Sequence, residues 1–435
     1  MKTRYTAPWL AAALAAALLL GSSPRAEAYG VNSTKEVVPT ISDVPAATLL
    51  LPYFEVDLAN PGGRTTRFWV NNASATAVLA HVTIWSDLSV PVLAFNMYFT
   101  GYDMQLVDMR DILNGKFPAT ASAGQDIGDQ ISPKGVLSQD INFASCGGQL
   151  PFTTLPQFYI DYMRAALTGQ FSSFNGGCAG TPSVGLARGY ITIDTVNNCT
   201  LRFPGSPGYF SPGGTGDATN QNILWGEYVY INSNAQGQGG SGAPMVSIEA
   251  LATDPITSTP GNYTFYGRYV AWSAADNREP LATNFAGRFV RNQTSAVVWR
   301  DPKVFQAVFT CGNLPSWYPL GREAFALFDE QEHITVRTGS LNSPASTGLA
   351  FPAATQKVLV GSGQLPSPYA SGWIYMNLNT FVAAAGANPP ADQNASQAFV
   401  TMVRALPGGS FGNVGTAGSP AFRLDSAAAP LHFEP

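Results

Sequence analysis

The sequence predicts an all-β protein, a multi-lobed β-sandwich of Ig-like or jelly-roll-like kind with one short helical insertion. Apolar and polar residues alternate with a period of two in segment after segment, the pattern of half-buried strands. The chain holds 25 Phe, 17 Tyr and 8 Trp together with 43 Gly and 32 Pro, a mixture of strand formers and turn formers. Charged residues make up 12% of it, where soluble domains carry about 25%.

In chain order, the first segment is MKTRYTAPWLAAALAAALLLGSSPRAEA, in which Lys2 and Arg4 precede a short apolar run and the small residues Ala26 and Ala28. That order of charge, apolar core and small-residue site predicts a secretory leader cleaved near Ala28. The chain is then secreted or periplasmic. No cysteine adjoins the site to take a lipid anchor, and no later stretch approaches the roughly 18 apolar residues of a membrane span. Removing 1–28 leaves 20 basic and 27 acidic residues, a net charge of −7. A mildly acidic surface offers no attraction to phosphate backbones or anionic lipids, so nucleic acid is not an expected partner.

Residues 46–113 read as strands of an N-terminal sandwich lobe (29–135). In TAVLAHVTIW, Val78, Ala80, Val82 and Ile84 alternate with Leu79, His81, Thr83 and Trp85. TTRFWV precedes it across the turn cluster NNASA, and VLAFNMYF and YDMQLVDM follow. Asp103, Asp108 and Asp111 form a structural acidic set with Arg110 as their expected ion-pair partner. The segment 136–185 is read as a disulfide-closed insertion, because LPQFYIDYMRAALTG places Phe158, Tyr159, Tyr162, Met163 and Ala166 at helical spacing before Gly169. Strand patterns resume in a central region (186–310) with GYITIDTV, ILWGEYVYI, PMVSIEALA, NYTFYGRYVAW, TSAVVW and VFQAVFT. They continue in a C-terminal lobe (311–435) with EAFALFDEQEHITVRT, QKVLVG, GWIYMNLN and QAFVTMVRA. No repeat period emerges.

The four cysteines, Cys146, Cys178, Cys199 and Cys311, are an even set in an oxidising compartment, so two disulfides are expected. Spacing favours Cys146–Cys178 with Cys199–Cys311. No C-x-x-C pair suggests zinc.

Candidate chemistry is sparse. QGQGGSGAP (236–244) approaches both the surround of a trypsin-like serine and a dinucleotide motif. As a nucleophile Ser241 needs a histidine base, yet the single upstream histidine, His81, sits in mid-strand. As a G-x-G-x-x-G turn it should open a helix, yet a strand pattern follows. It is read as a flexible loop between strands. His81, His333 and His432 have no ligand spacing among them, so no metal centre is expected from histidine. Asp329, Glu330, Glu332 and His333 in FDEQEH form the densest polar cluster, either a solvated turn or a set of oxygens able to take Ca²⁺, the one cofactor the sequence leaves open.

Two functional classes remain. Glu227 and Glu249 lie on strands expected to be neighbours, with Trp225 available to stack on a sugar ring, as a glycosidase pair of carboxylates requires. Trp317 and Tyr318 in NLPSWYPLG, with Tyr369 and Trp373 in LPSPYASGWIY, are candidates for a stacking surface. In the absence of a convincing nucleophile, the expected function is that of a non-catalytic cell-envelope or extracellular binding or structural protein, its partner a polysaccharide or an envelope protein. A carbohydrate-active enzyme using Glu227 and Glu249 is the alternative.

The blocks LLLPYFEVD, FWVNNASATAVLAHVTIWSDLSVPVLAFNMYFTGYDMQLVDMRDIL, GYITIDTVNNCTLRFPG and CGNLPSWYPL together resemble those of a group of exported bacterial proteins of unknown function that carry such blocks in this order. The resemblance covers most of the chain beyond the leader. It implies an exported β-rich protein and brings no activity or site residue with it.

Overall fold

The computed structural model describes residues 44–120, 135–139, 141–232, 241–250, 264–267, 276–279, 281, 284–302, 307–320, 323–339, 350–378, 397–404, 419–420 and 422–423. The expected leader, His432 and the first part of the glycine-rich motif lie outside the described residues.

Four antiparallel sheets with little helix make up the fold. Sheet 1 has the order β5 (Met104–Asp108), β2 (Arg64–Asn72), β7 (Leu224–Asn232), β8 (Ser241–Pro244). Sheet 2 runs β4 (Pro91–Phe99), β3 (Val78–Ser86), β6 (Leu186–Val196), β1 (Thr48–Asp57), β9 (Val246–Ile248). Sheet 3 is β14 (Thr355–Leu359), β11 (Thr294–Arg300), β16 (Ala398–Arg404), β17 (Ser419–Pro420). Sheet 4 is β13 (Ile334–Gly339), β12 (Glu323–Phe328), β15 (Ser371–Asn377), β10 (Asn284–Val290), β18 (Phe422–Arg423).

The sheets stack in the order 1-2-3-4, and side-chain alternation shows why. One face of sheet 2, with Leu49, Leu51, Val82, Ile84, Phe95, Ile191 and Ile193, shares a core with Phe68, Val70 and Tyr228 of sheet 1. Its opposite face carries Leu50, Trp85 and Tyr190 into an aromatic layer with Trp299 and Phe399 of sheet 3. There Trp85 stacks on Tyr190 at 5.7 Å, and Tyr190 meets Trp299 edge-on at 6.0 Å. The far side of sheet 3, with Ala296, Val298, Val400 and Met402, closes a further core with Phe285, Phe325, Leu327 and Ile374 of sheet 4. Sheets 1 and 2 thus form one sandwich, sheets 3 and 4 a second, and the two are fused through their inner sheets.

This arrangement draws the boundaries differently from those read off the sequence. Residues 186–310 make no lobe of their own, because β6 inserts between β3 and β1, β7 to β9 complete the first sandwich, and β10 and β11 begin the second. The described part of NYTFYGRYVAW, residues 264–267, is a turn rather than a strand. Ser241 to Pro244, the end of the glycine-rich motif, is strand β8 rather than loop.

Two helices are described, where one was expected. α1 (Met109–Leu113) is capped by Asp108, whose carboxylate accepts from the Arg110 N–H. Arg110 itself donates to the carbonyls of Asp57, Gly63 and Arg64 rather than pairing with its neighbouring aspartates. α2 (Gln157–Leu167) buries Ile160, Tyr162, Met163, Ala166 and Leu167, while Phe158 points to solvent.

The disulfides are Cys146–Cys199 and Cys178–Cys311, which corrects the pairing that spacing favoured. Burial of α2 in the first core separates the cysteines on either side of it. Cys146 is held beside Cys199, whose N–H donates to Ser145 Oγ at 3.0 Å. Cys178 forms a β-bridge with Phe309 instead, which presents it to Cys311. The second bond therefore ties the loop after α2 to the connection that follows β11.

Candidate functional site, an open aromatic sheet face

Sheet 1 covers sheet 2 with its inner face and leaves its outer face to solvent. The strand period of two puts Thr66, Phe68 and Val70 of β2 on the inner face and Arg67, Trp69 and Asn71 on the outer face, where Arg67 and Trp69 are partly exposed and Asn71 is buried, donating to the Trp225 carbonyl. The same alternation in β7 buries Leu224, Tyr228 and Tyr230 and turns Trp225, Glu227, Val229 and Ile231 outward. Position 226, in the inner row, is glycine because a β-carbon there would sit 2.4 Å from the Trp69 carbonyl oxygen, closer than any side chain tolerates.

Register assembles these residues into rows. Met104, Asn71 and Trp225 form one, and Leu106, Trp69, Glu227 and Pro244 the next. Asp108, Arg67, Val229 and Gly242 form a third. Met104 is 60% exposed, Leu106 47% and Trp225 44%, with Trp69 partly exposed between them. Contiguous exposed apolar surface bounded by polar groups marks an interaction site in soluble proteins. Arg67 donates from Nε to Asp108 Oδ2 at 2.7 Å, and Thr65 Oγ1 donates to Asp108 Oδ1 at 2.8 Å, so Asp108 is taken up within the sheet. Glu227 is exposed and makes no ion pair among the described residues.

The structure separates the other residues singled out from the sequence. Glu249 follows β9 of sheet 2, whereas Glu227 lies in β7, which is flanked by β2 and β8, so the two glutamates are not on neighbouring strands. Trp317 packs against the aromatic layer between the sandwiches, its ring 6.3 Å from that of Tyr318. On sheet 4, Tyr369 OH lies 3.0 Å from Thr335 Oγ1, and Trp373 stacks on Phe328 at 4.0 Å. Asp329 accepts from the N–H groups of Gln331 and His333, both at 2.9 Å, and lies 2.8 Å from His333 Nδ1, a self-satisfied turn. Among the described residues no group of three or more His, Cys, Asp or Glu side chains gathers to hold a metal ion.

Sequence reasoning missed a buried polar network on the inner-stack face of sheet 2. Asp194 accepts from Thr48 Oγ1, from Tyr209 OH at 2.7 Å and from Tyr266 OH at 3.0 Å. Arg278 donates to Thr48 Oγ1 at 3.0 Å and to the Thr219 carbonyl at 2.7 Å. Asp276 accepts the N–H groups of Tyr266 and Arg278 at 2.8 and 3.1 Å. Burial pushes both tyrosines well above the usual phenol range, and the Asp194 charge adds to the rise. The catalogue of groups looks chemical, but all are fully buried and spent on one another, so the network fastens loops onto sheet 2. A polar Asp-Thr pair inside an apolar strand pattern (ITIDTV) was its only trace in the sequence.

His81 stands beside this network, its Nδ1 3.1 Å from Asn96 Oδ1. Burial lowers its pKa below 6.5, against smaller raising effects of Asn96 and the Asp194 charge. The folded protein therefore holds His81 neutral where the unfolded chain would bind a proton. Its contribution is complete above about pH 6.5 and is lost as pH falls through the lowered value. Urea midpoints measured between pH 7 and pH 5 should fall more steeply for the native chain than for His81→Gln; equal slopes would remove His81 as a cause.

Comparison with protein-family models, curated proteins and solved structures finds no match to the chain. The outer face of sheet 1 thus stands on its geometry, which suits docking of a flat surface.

Proposed function

We propose that this is an exported protein of the cell envelope or extracellular space that binds and builds rather than catalyses, with the outer face of sheet 1 as its docking surface. The observation that carries this reading is the open row structure of Trp69, Trp225, Met104 and Leu106 around Glu227. Tryptophan, methionine and arginine are enriched where proteins meet proteins, and Arg67 completes that composition, so a protein partner fits the face better than a sugar chain. Export is supported by the leader-like first 28 residues and by the two disulfides.

Placing a photo-reactive phenylalanine analogue at Trp225 and irradiating cells that export the protein should give discrete protein adducts. The same analogue at Phe171, an exposed aromatic away from the sheet, serves as control. Equal labelling from both positions would sink the reading. Release of reducing ends from a polysaccharide panel, abolished by Glu227→Gln or Glu249→Gln, would instead establish the carbohydrate-active alternative.

A further inference from the structure

On the reading of the chain as exported, we infer that it reaches its native state through a thiol–disulfide isomerase, a partner whose reduced thiol breaks wrongly formed bonds between its cysteines. What carries this is the crossing of the two bonds. The cysteines come in the order Cys146, Cys178, Cys199, Cys311, and the first pairs with the third while the second pairs with the fourth. Neither bond joins cysteines that are neighbours along the chain.

The fold shows why native contacts do not select the right partner early. Cys146 packs with Leu79 of β3, Tyr98 of β4 and Val196 at the end of β6, so its surroundings are complete only after β6 has arrived, when Cys178 is already present. Cys178 finds its place through the β-bridge to Phe309 in the connection after β11, and its partner follows it by 133 residues. In an unfolded chain the chance of closing a loop falls with about the 3/2 power of its length. Among the first three cysteines the separations are 21 for Cys178–Cys199, 32 for Cys146–Cys178 and 53 for the native Cys146–Cys199. On those lengths about one chain in seven closes the native bond first. At the pace of synthesis, about 5 to 20 residues per second, Cys311 arrives on the order of ten seconds after Cys199. Uncatalysed rearrangement takes minutes to hours, so the wrong bond is still in place when Cys311 pairs with the thiol left over. A chain paired wrongly at all four cysteines then holds no thiol with which to begin an exchange.

The partner supplies that thiol, and the exchange balances. In the isomer with Cys146–Cys178 and Cys199–Cys311, the partner's thiolate attacks Cys146 Sγ, forms a mixed disulfide and expels the Cys178 thiolate. That thiolate attacks Cys311 Sγ, which makes Cys178–Cys311 and expels the Cys199 thiolate. The Cys199 thiolate in turn attacks Cys146 Sγ, which makes Cys146–Cys199 and returns the partner's thiolate. One bond forms for each that breaks, no electrons are gained or lost, and no further reactant is needed. The fold then keeps the product, because Cys146 and Cys199 are both buried and their sulfurs are closed to further attack.

The test starts from the reduced, unfolded full chain, diluted into native buffer with a purified dithiol oxidase that adds bonds without rearranging them. Free thiols are trapped by alkylation, and the bonds are mapped by mass spectrometry. With oxidase alone, about one chain in six should carry both native bonds, the loop-closure share of that pairing among the three possible. Adding a reduced thiol–disulfide isomerase should raise that share about fivefold. Cys146→Ser with Cys199→Ser, and Cys178→Ser with Cys311→Ser, each leave a single native pair with no cysteine between its members. Each variant should give the same yield of protease-resistant, bonded chain with or without the isomerase, and where one of them does not fold the other makes the comparison. The same contrast should appear between cells that export the chain with and without their own isomerase. Both native bonds at full yield from oxidase alone overturn the inference, and so does a two-cysteine variant that needs the isomerase as much as the four-cysteine chain does. Neither result touches the export reading, which fails separately if cells keep the chain with residues 1–28 attached and its thiols reduced.

Discussion

Asp194→Ala should cost about 3 to 5 kcal/mol of folding stability, read as a drop in urea midpoint at unchanged slope. Its carboxylate is the common acceptor for Thr48, Tyr209 and Tyr266, and all four residues are buried. Truncation takes the carboxylate acceptor from the buried hydroxyls of Thr48, Tyr209 and Tyr266, and each such loss costs about 1 kcal/mol or more. It also removes a negative charge near Arg278, which is 1% exposed and whose other carboxylate, Asp276, lies 3.8 Å away. Tyr209→Phe deletes a single donor and should cost about 1 to 1.5 kcal/mol. If Asp194→Ala proves no worse than Tyr209→Phe, the network is not the fastening described above.

The second large effect is expected from the paired substitution Cys178→Ser with Cys311→Ser. The bond closes a loop with 133 residues of separation, for which chain entropy gives about 5 kcal/mol. Cys146–Cys199 spans 53, which gives about 4 kcal/mol. The longer bond also joins the two sandwiches, so its removal should loosen residues 307–313 more than it loosens sheet 2. Hydrogen exchange by mass spectrometry separates these regions. Uniform loss of protection across both sandwiches would show that the bond acts on the unfolded chain alone.

The alternation in Val78 to Ser86 identified β3, and the same reasoning found most strands because one buried face imposes a period of two. It could not give strand order, which depends on pairings between distant segments such as Thr48 with Asp194. That is why β6 was assigned to a separate region. The outward set of β7, Trp225 and Glu227, was legible from its own strand, whereas Trp69, Met104 and Leu106 joined it only through register. α1 escaped because five residues hold too little periodicity, although the Asp108 cap was there to be read. The expected strand at 262–272 shows the reverse error, since aromatic residues favour strands on average yet Phe265 and Tyr266 lie in a turn and fill the layer between the sandwiches.

The insertion of β6 between β3 and β1 also governs how the protein reaches its folded state. Thr48 meets a partner 146 residues farther along the chain, and sheet 1 is completed only when β7 and β8 arrive. High contact order of this kind makes folding slow, because loop closure precedes any stabilising contact. Until β6 (Leu186–Val196) is available to insert between them, the apolar strands β1 and β3 have unmade edges of the sort that aggregate. A chain threaded through a membrane from its first residue would need a holding chaperone on the far side for the length of that delay.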